Sequence, residues 1–143
     1  MTRQEEFLAF IARLCLVLIF PFSALDKIFN HQSAIDQAAH GLIPLPPAPA
    51  AALLVLGGML EALGPICILL GYYRRQAALL FIFYVIVTAV LFHNFWSFPF
   101  NSDGWSQNFW PFLKNFGLAG GFLYIATEAK MQSLRDAFSM KAQ

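Results

Sequence analysis

The feature that most constrains this chain is a succession of apolar stretches long enough to cross a bilayer, separated by short polar segments. A hydrocarbon layer of ~30 Å takes about 20 helical residues at ~1.5 Å each. The stretches at about 7–29, 48–71 and 75–96 meet that length, and a fourth at about 109–127 is shorter and richer in glycine. Backbone groups inside lipid must be satisfied within their own segment, so such stretches are helices. The expected fold is all-α, an integral membrane four-helix bundle forming a single domain over residues 1–143. Composition agrees, because 59% of residues are hydrophobic and 12% charged, against about 25% charged in soluble domains, too few to solvate a globular surface.

Local signals place the ends of the spans. Glu5 and Glu6 precede the first stretch and Arg13 interrupts it, which fits a retained span better than a cleaved signal peptide, although Ser23 and Ala24 supply small residues. The second stretch follows a proline-rich entrance (Pro44, Pro46, Pro47, Pro49), tolerated because the first amides of a helix have no intrahelical acceptor, and Gly71 supplies its stop. The third begins after Arg74 and Arg75. Residues 31–40 are too polar to span, but Ile35, Ala38 and Ala39 recur at helical spacing behind Ser33 as N-cap, so a short surface helix is expected. Between Phe95 and Pro111 a turn-rich segment crowded with Trp96, Phe98, Phe100, Trp105, Phe109 and Trp110 reads as an interfacial aromatic belt. The tail from Glu128 to Gln143 is polar, with Phe138 and Met140 placed to lay it on the membrane.

Positive charge orients the bundle, since Lys and Arg near span ends resist translocation. With alternating spans, Arg3, Arg74, Arg75, Lys130, Arg135 and Lys141 share one side, and only Lys27 and Lys114 lie at the other. Both termini are therefore expected to be cytoplasmic; in a bacterium that places the bundle in the inner membrane with its aromatic and proline-rich loops toward the periplasm.

Ionisable groups inside a span cost about 2.5–3.5 kcal/mol on insertion scales, so each requires a reason. Glu61 falls near the midplane of the second stretch, and Arg13 is the donor within reach of it if the first two spans are neighbours. Glu61 shares its face with Gly57, Gly58, Gly64 and Pro65, which lets another backbone approach. Lys27 and Arg13 project in similar directions, being nearly four turns apart, at ~3.6 residues per turn. His93, Lys114 and Asn115 gather with Lys27 at the outer edge. The candidate intramembrane polar site is thus Arg13, Lys27, Glu61, His93, Lys114 and Asn115. The structural alternative is that Lys27 and Lys114 snorkel to headgroups while Arg13 and Glu61 staple two helices together.

Other chemistries find little purchase. A net charge of +1 with no basic stripe gives nucleic acid nothing to bind. Cys15 and Cys67 lie in apolar stretches as small buried hydrophobes, and His93 has no second His or Cys to share a metal with. No flavin, haem, iron–sulfur or dinucleotide motif is present, and no nucleophile has an identifiable base.

Five ordered segments resemble the DoxX family of small four-helix bacterial membrane proteins. These are "IARLCLVLIFPFSALDKI" (Ile11 to Ile28), "GLIPLP" (Gly41 to Pro46), "GGMLEALGPICILLGYYRR" (Gly57 to Arg75), "HNFW" (His93 to Trp96) and "FLKNFGLAGGFLYI" (Phe112 to Ile125). Asn94 stands where the family pattern has Asp, which removes a charge beside His93. The resemblance implies a membrane subunit or partner of a redox or quinone-linked complex, at most oxidoreductase-associated, with no cofactor in the chain other than a lipid-soluble quinone. Redox proteins and further copies of the chain are then the expected partners besides the bilayer, self-association being suggested by the glycine faces at Gly57, Gly64, Gly117 and Gly121. Two other readings stand beside it, a small-solute binding or transport protein using Glu61 as a proton-coupled carboxylate, and a non-catalytic scaffold.

Overall fold

The computed structural model describes residues 2–141, with side chains through Met131. Its helices are α1 (Arg3–Val17), α2 (Ile19–Phe29), α3 (His31–Ala39), α4 (Pro47–Leu70), α5 (Arg74–Phe92) and α6 (Asp103–Lys141), with a single 3₁₀ turn at Phe95–Ser97. Among the described residues, three segments are long and apolar enough to cross a membrane: Arg3–Phe29, Pro47–Leu70 and Arg74–Ser97. α6 packs most extensively along α5, α4 bridges α2 and α5, and α1 touches both α4 and α6, which closes a four-membered bundle.

What faces inward is small, and what faces outward is large. The buried stripe of α4 is Ala50, Gly57, Glu61, Gly64, Pro65 and Ile68, while Leu53, Val55, Leu56, Met59, Leu63 and Ile66 are exposed around it. In α5 the buried stripe includes Ala77, Ala78 and Ala89, with Leu79, Leu80 and Phe83 outside. Lipid supplies no hydrophobic drive between helices, so a membrane bundle gains from close backbone approach and leaves its large side chains to the acyl chains. The few large buried side chains are concentrated in one cluster. Phe81 stacks on Phe122 at 4.7 Å and 7°, and Phe20 lies 4.4 Å from Phe81. Gly57 and Gly64 serve this interior: a Cβ at Gly64 would run into the Phe81 ring, and one at Gly57 would press on Tyr84. These glycines therefore pack within the bundle and are not available to a second copy. Gly58 and Gly117 meet nothing.

Several boundaries differ from those expected. The first span is two helical pieces meeting at Leu18, because Pro21 has no N–H to give the Val17 carbonyl four residues earlier. α3 starts at His31 behind Asn30, so Ser33 lies inside the helix and caps nothing. That helix also turns Ala38 fully inward against the bundle. α6 begins at Asp103, six residues before the expected fourth stretch, with the Ser102 hydroxyl accepting the Trp105 amide at 3.2 Å. Pro111 is accommodated inside it. Trp105 and Phe109 consequently belong to a helix face, stacked at 4.3 Å and packed with Phe95, whereas Trp96, Phe100 and Trp110 remain exposed as a belt would be. α6 also continues through the segment expected to be a polar tail. The expectation for Phe138 and Met140 falls outside the described side chains. Cys15 is exposed on the outer face and not buried, and Cys67 is half-buried; both are free thiols.

The stop of α4 behaves as expected. Gly71 takes φ +88°, and the Arg74 guanidinium folds back to within 3.0 Å of where a Cβ would stand. Gly71→Ala is expected to lower stability by about 1 kcal/mol from backbone strain alone, read as a fall in the thermal unfolding midpoint in detergent.

Candidate functional site

The second and fourth helices bring together a buried polar cluster. Glu61 is 3% exposed, the only charged residue buried in the described core. Lys27, two residues from the end of α2, reaches back along the bundle so that its Nζ donates to Glu61 Oε1 at 2.9 Å and Oε2 at 2.8 Å. Its third donor goes to Ser23 Oγ, one turn below, at 2.8 Å. Ser23 in turn donates to Glu61 Oε1 at 3.1 Å, and the Tyr84 hydroxyl of α5 donates to the same oxygen at 2.7 Å. All three ammonium protons are used, and the carboxylate of α4 is held by three side chains from two neighbouring helices, Lys27 and Ser23 of α2 and Tyr84 of α5. A charge pair this far from water persists only when its remaining donors and acceptors are satisfied, and here they are. Prolines flank the cluster on both sides, Pro21 before Ser23 and Pro65 one turn after Glu61, so that the Val17 and Glu61 carbonyls lack the usual helical donor. Irregular backbone of this kind in a span is tolerated where it is buried in protein or lines a cavity.

A cavity of about 610 Å³ opens beside this cluster, within the 300–1,000 Å³ typical of small-molecule sites. Its walls are mostly apolar side chains of α2, α4 and α5, including Ile19, Leu53, Leu60, Phe83 and Val87, and Ala34, Gln37 and Ala38 of α3 close one side. Lys27, Glu61, His93, Lys114 and Asn115 all line it, joined by Ser23, Tyr84 and Thr88. Asn115 spends one N–H of its Nδ2 on the Pro111 carbonyl at 3.0 Å, and its second N–H has no partner among the described residues. Lys114 makes no ion pair among the described residues. His93 is the C-cap of α5, and the Asn94 amide beside it bonds Ser97 and not the imidazole.

Arg13 is not part of this site. Its guanidinium pairs with Glu128 of α6 at 3.3 Å, so the expected Arg13–Glu61 pairing is replaced by two separate ion pairs, Arg13–Glu128 and Lys27–Glu61. The reason is geometric: α6 runs straight through the supposed tail and lifts Glu128 to the level of Arg13, while the long lysine stem descends to Glu61. The sequence reading missed Tyr84 and Ser23 as partners of the carboxylate. Ser23 stands one helical turn before Lys27, a spacing that puts both on one face and could have flagged it.

Comparison with known proteins agrees with a helical membrane protein. Residues 8–94 match the DoxX family, which takes in the Lys27–Glu61–Tyr84 cluster and His93 but stops short of α6. The chain is also similar to the inner membrane protein YphA of Escherichia coli (strain K12), with 34% identity over 120 residues, covering 83% of this chain and 81% of that one. No solved structure matches.

Proposed function

Because the chain belongs to the DoxX family and is a multi-pass protein of the bacterial inner membrane, we propose that it is the membrane subunit of a quinone-linked redox system and holds a quinone headgroup in the cavity between α2, α4, α5 and α6. The observation that carries this reading is a cavity with mostly apolar walls that Lys27, Tyr84, His93, Lys114 and Asn115 line as polar donors. A lipid-soluble quinone is a flat, mostly apolar molecule whose only strong acceptors are its ring oxygens. The exposed apolar faces around the cavity suit an isoprenoid tail, and Lys114, His93 and Asn115 are the groups with capacity left to meet those oxygens. Bound there, a quinone would supply the electron-carrying chemistry that the chain's own motifs lack. The Lys27–Glu61–Tyr84 cluster, internally satisfied, fixes the wall against which the ring lies. Charge bias supports an orientation with both termini cytoplasmic, which puts Lys27, His93 and Lys114 in the outer half of the membrane.

The test is the quinone content of protein purified in mild detergent, measured by solvent extraction and chromatography. Wild type is expected to carry quinone, and His93→Ala with Lys114→Ala to retain about tenfold less, the consequence of losing hydrogen bonds that include a charged donor. Protein that carries no quinone and whose tryptophan fluorescence is unmoved by an added quinone analogue would leave the reading without support. Full complementation of a deletion strain by the same double variant would favour a scaffold.

A further inference from the structure

A second cluster of charge lies at the opposite end of the bundle from His93 and Lys114, and the quinone reading does not use it. Arg13 of α1 pairs with Glu128 of α6, and the antiparallel packing of α5 on α6, fixed by Phe81 stacked on Phe122, brings Arg74 at the start of α5 to the same level as Glu128. Two arginines and one carboxylate share that level. Among the described residues the one ion pair they make is a single long contact of 3.3 Å, against the ~2.8 Å of a well-formed charge-assisted bond. Arg13 Nε is buried and has no acceptor, the one such side-chain atom among the described residues. Arg74 uses its Nε on the Ile68 carbonyl at 3.0 Å, so its terminal nitrogens are not spent on that bond. An arginine carries five donors and no acceptor, and a pair of them sharing one carboxylate is a donor set short of acceptors.

We infer that Arg13 and Arg74 together bind a phosphate group, the tetrahedral anion whose several oxygens match two guanidinium forks. The surroundings favour a phospholipid headgroup as its source. Leu70, Tyr72 and Tyr73, at the turn that carries Arg74, are 66%, 70% and 76% exposed, and Tyr124 on α6 is 71% exposed. Exposed tyrosines beside arginines mark the level of a membrane interface, with the apolar side chains below them placed to meet acyl chains. Glu128 then has a definite part: it holds Arg13 in place and competes with the phosphate for it.

The experiment is native mass spectrometry of the full chain in detergent, titrated with phosphatidylglycerol or phosphatidylcholine, alongside thermal unfolding with millimolar inorganic phosphate. Wild type is expected to retain phosphatidylglycerol in preference to phosphatidylcholine. Arg13→Gln and Arg74→Gln should each weaken that retention about tenfold, as expected for a lost charge-assisted bond. Glu128→Gln should strengthen it, a gain that a purely structural Arg13–Glu128 pair does not produce. A rise in unfolding midpoint with inorganic phosphate, abolished in the same arginine variants, supports the site with a soluble anion as its source. Equal phosphatidylglycerol retention in wild type and all three variants, with no response to phosphate, overturns the inference.

Discussion

Lys27→Met is expected to destabilise the protein more than Glu61→Gln, by about 3 kcal/mol or more, in reversible unfolding measured in bicelles or mixed micelles. Removing one partner of a buried pair leaves the other uncompensated, at about 3–5 kcal/mol in soluble proteins. The two partners are not equivalent. The Glu61 side chain is 4% exposed and fixed on the inner stripe of α4, so without Lys27 it must stay as a carboxylate held only by Ser23 and Tyr84 or take up a proton. The Lys27 side chain is 24% exposed and hangs from the last turn of α2, so without Glu61 it can swing toward the headgroups. Glu61→Gln also keeps an oxygen for Tyr84 and Ser23. A double variant, Lys27→Met with Glu61→Gln, should recover most of the loss, because no ion is then left in the core. Equal losses from the two single variants would show that Lys27 cannot escape, and that the depth assigned to it is wrong.

That asymmetry bears on what could be read from residues alone. Ionisable groups in apolar stretches single themselves out, and four of the five chosen on that ground line one cavity, with Asn115 beside them. Their pairing was not legible. Depth along a helix is a one-dimensional coordinate, and on it Arg13 and Lys27 are both within reach of Glu61; the choice between them rests on which helix face meets α4 and on how far α6 extends. The prolines carried part of that information. Pro21 breaks the first span below Ser23 and sets α2 on its own course, which a hydropathy reading averages away. Tyr84 was hidden for a different reason: a tyrosine in a span is ordinary until something shows that its hydroxyl points at a carboxylate.

The spans themselves were legible because length and hydropathy are imposed by the bilayer. Their polar borders were less so. The Ser102–Asp103 pair is a helix-start signal, but it was outweighed by the surrounding turn formers and by Pro111, which reads as a boundary and is in fact held within α6. Small-residue faces misled in one respect. Gly57 and Gly64 suggest a dimer surface when seen as a stripe, yet the rings they accommodate belong to α5 of the same chain.

Those glycines give the other large effect. Phe81→Ala is expected to cost about 3 kcal/mol, the lower end of the range for buried Phe in soluble cores, since lipid removes most of the transfer term and leaves lost packing. Phe81 is fully buried, stacked on Phe122 and tilted against Phe20, so no neighbour is free to fill the gap. Gly64→Ala should cost about 1–3 kcal/mol for the converse reason, an added methyl that meets a ring with nowhere to go. Gly58→Ala, on the same helix but facing open space, should be neutral or stabilise by up to about 1 kcal/mol through helix propensity. The diagnostic is the double variant, Gly64→Ala with Phe81→Ala. With the ring gone the methyl occupies part of the space left behind, so the double loss should fall below the sum of the single losses by more than about 1 kcal/mol, a coupling expected only of residues in contact. Additive losses in the same unfolding assay would mean that α4 and α5 do not meet at this point, and with it the Tyr84–Glu61 bond one turn away would be in question.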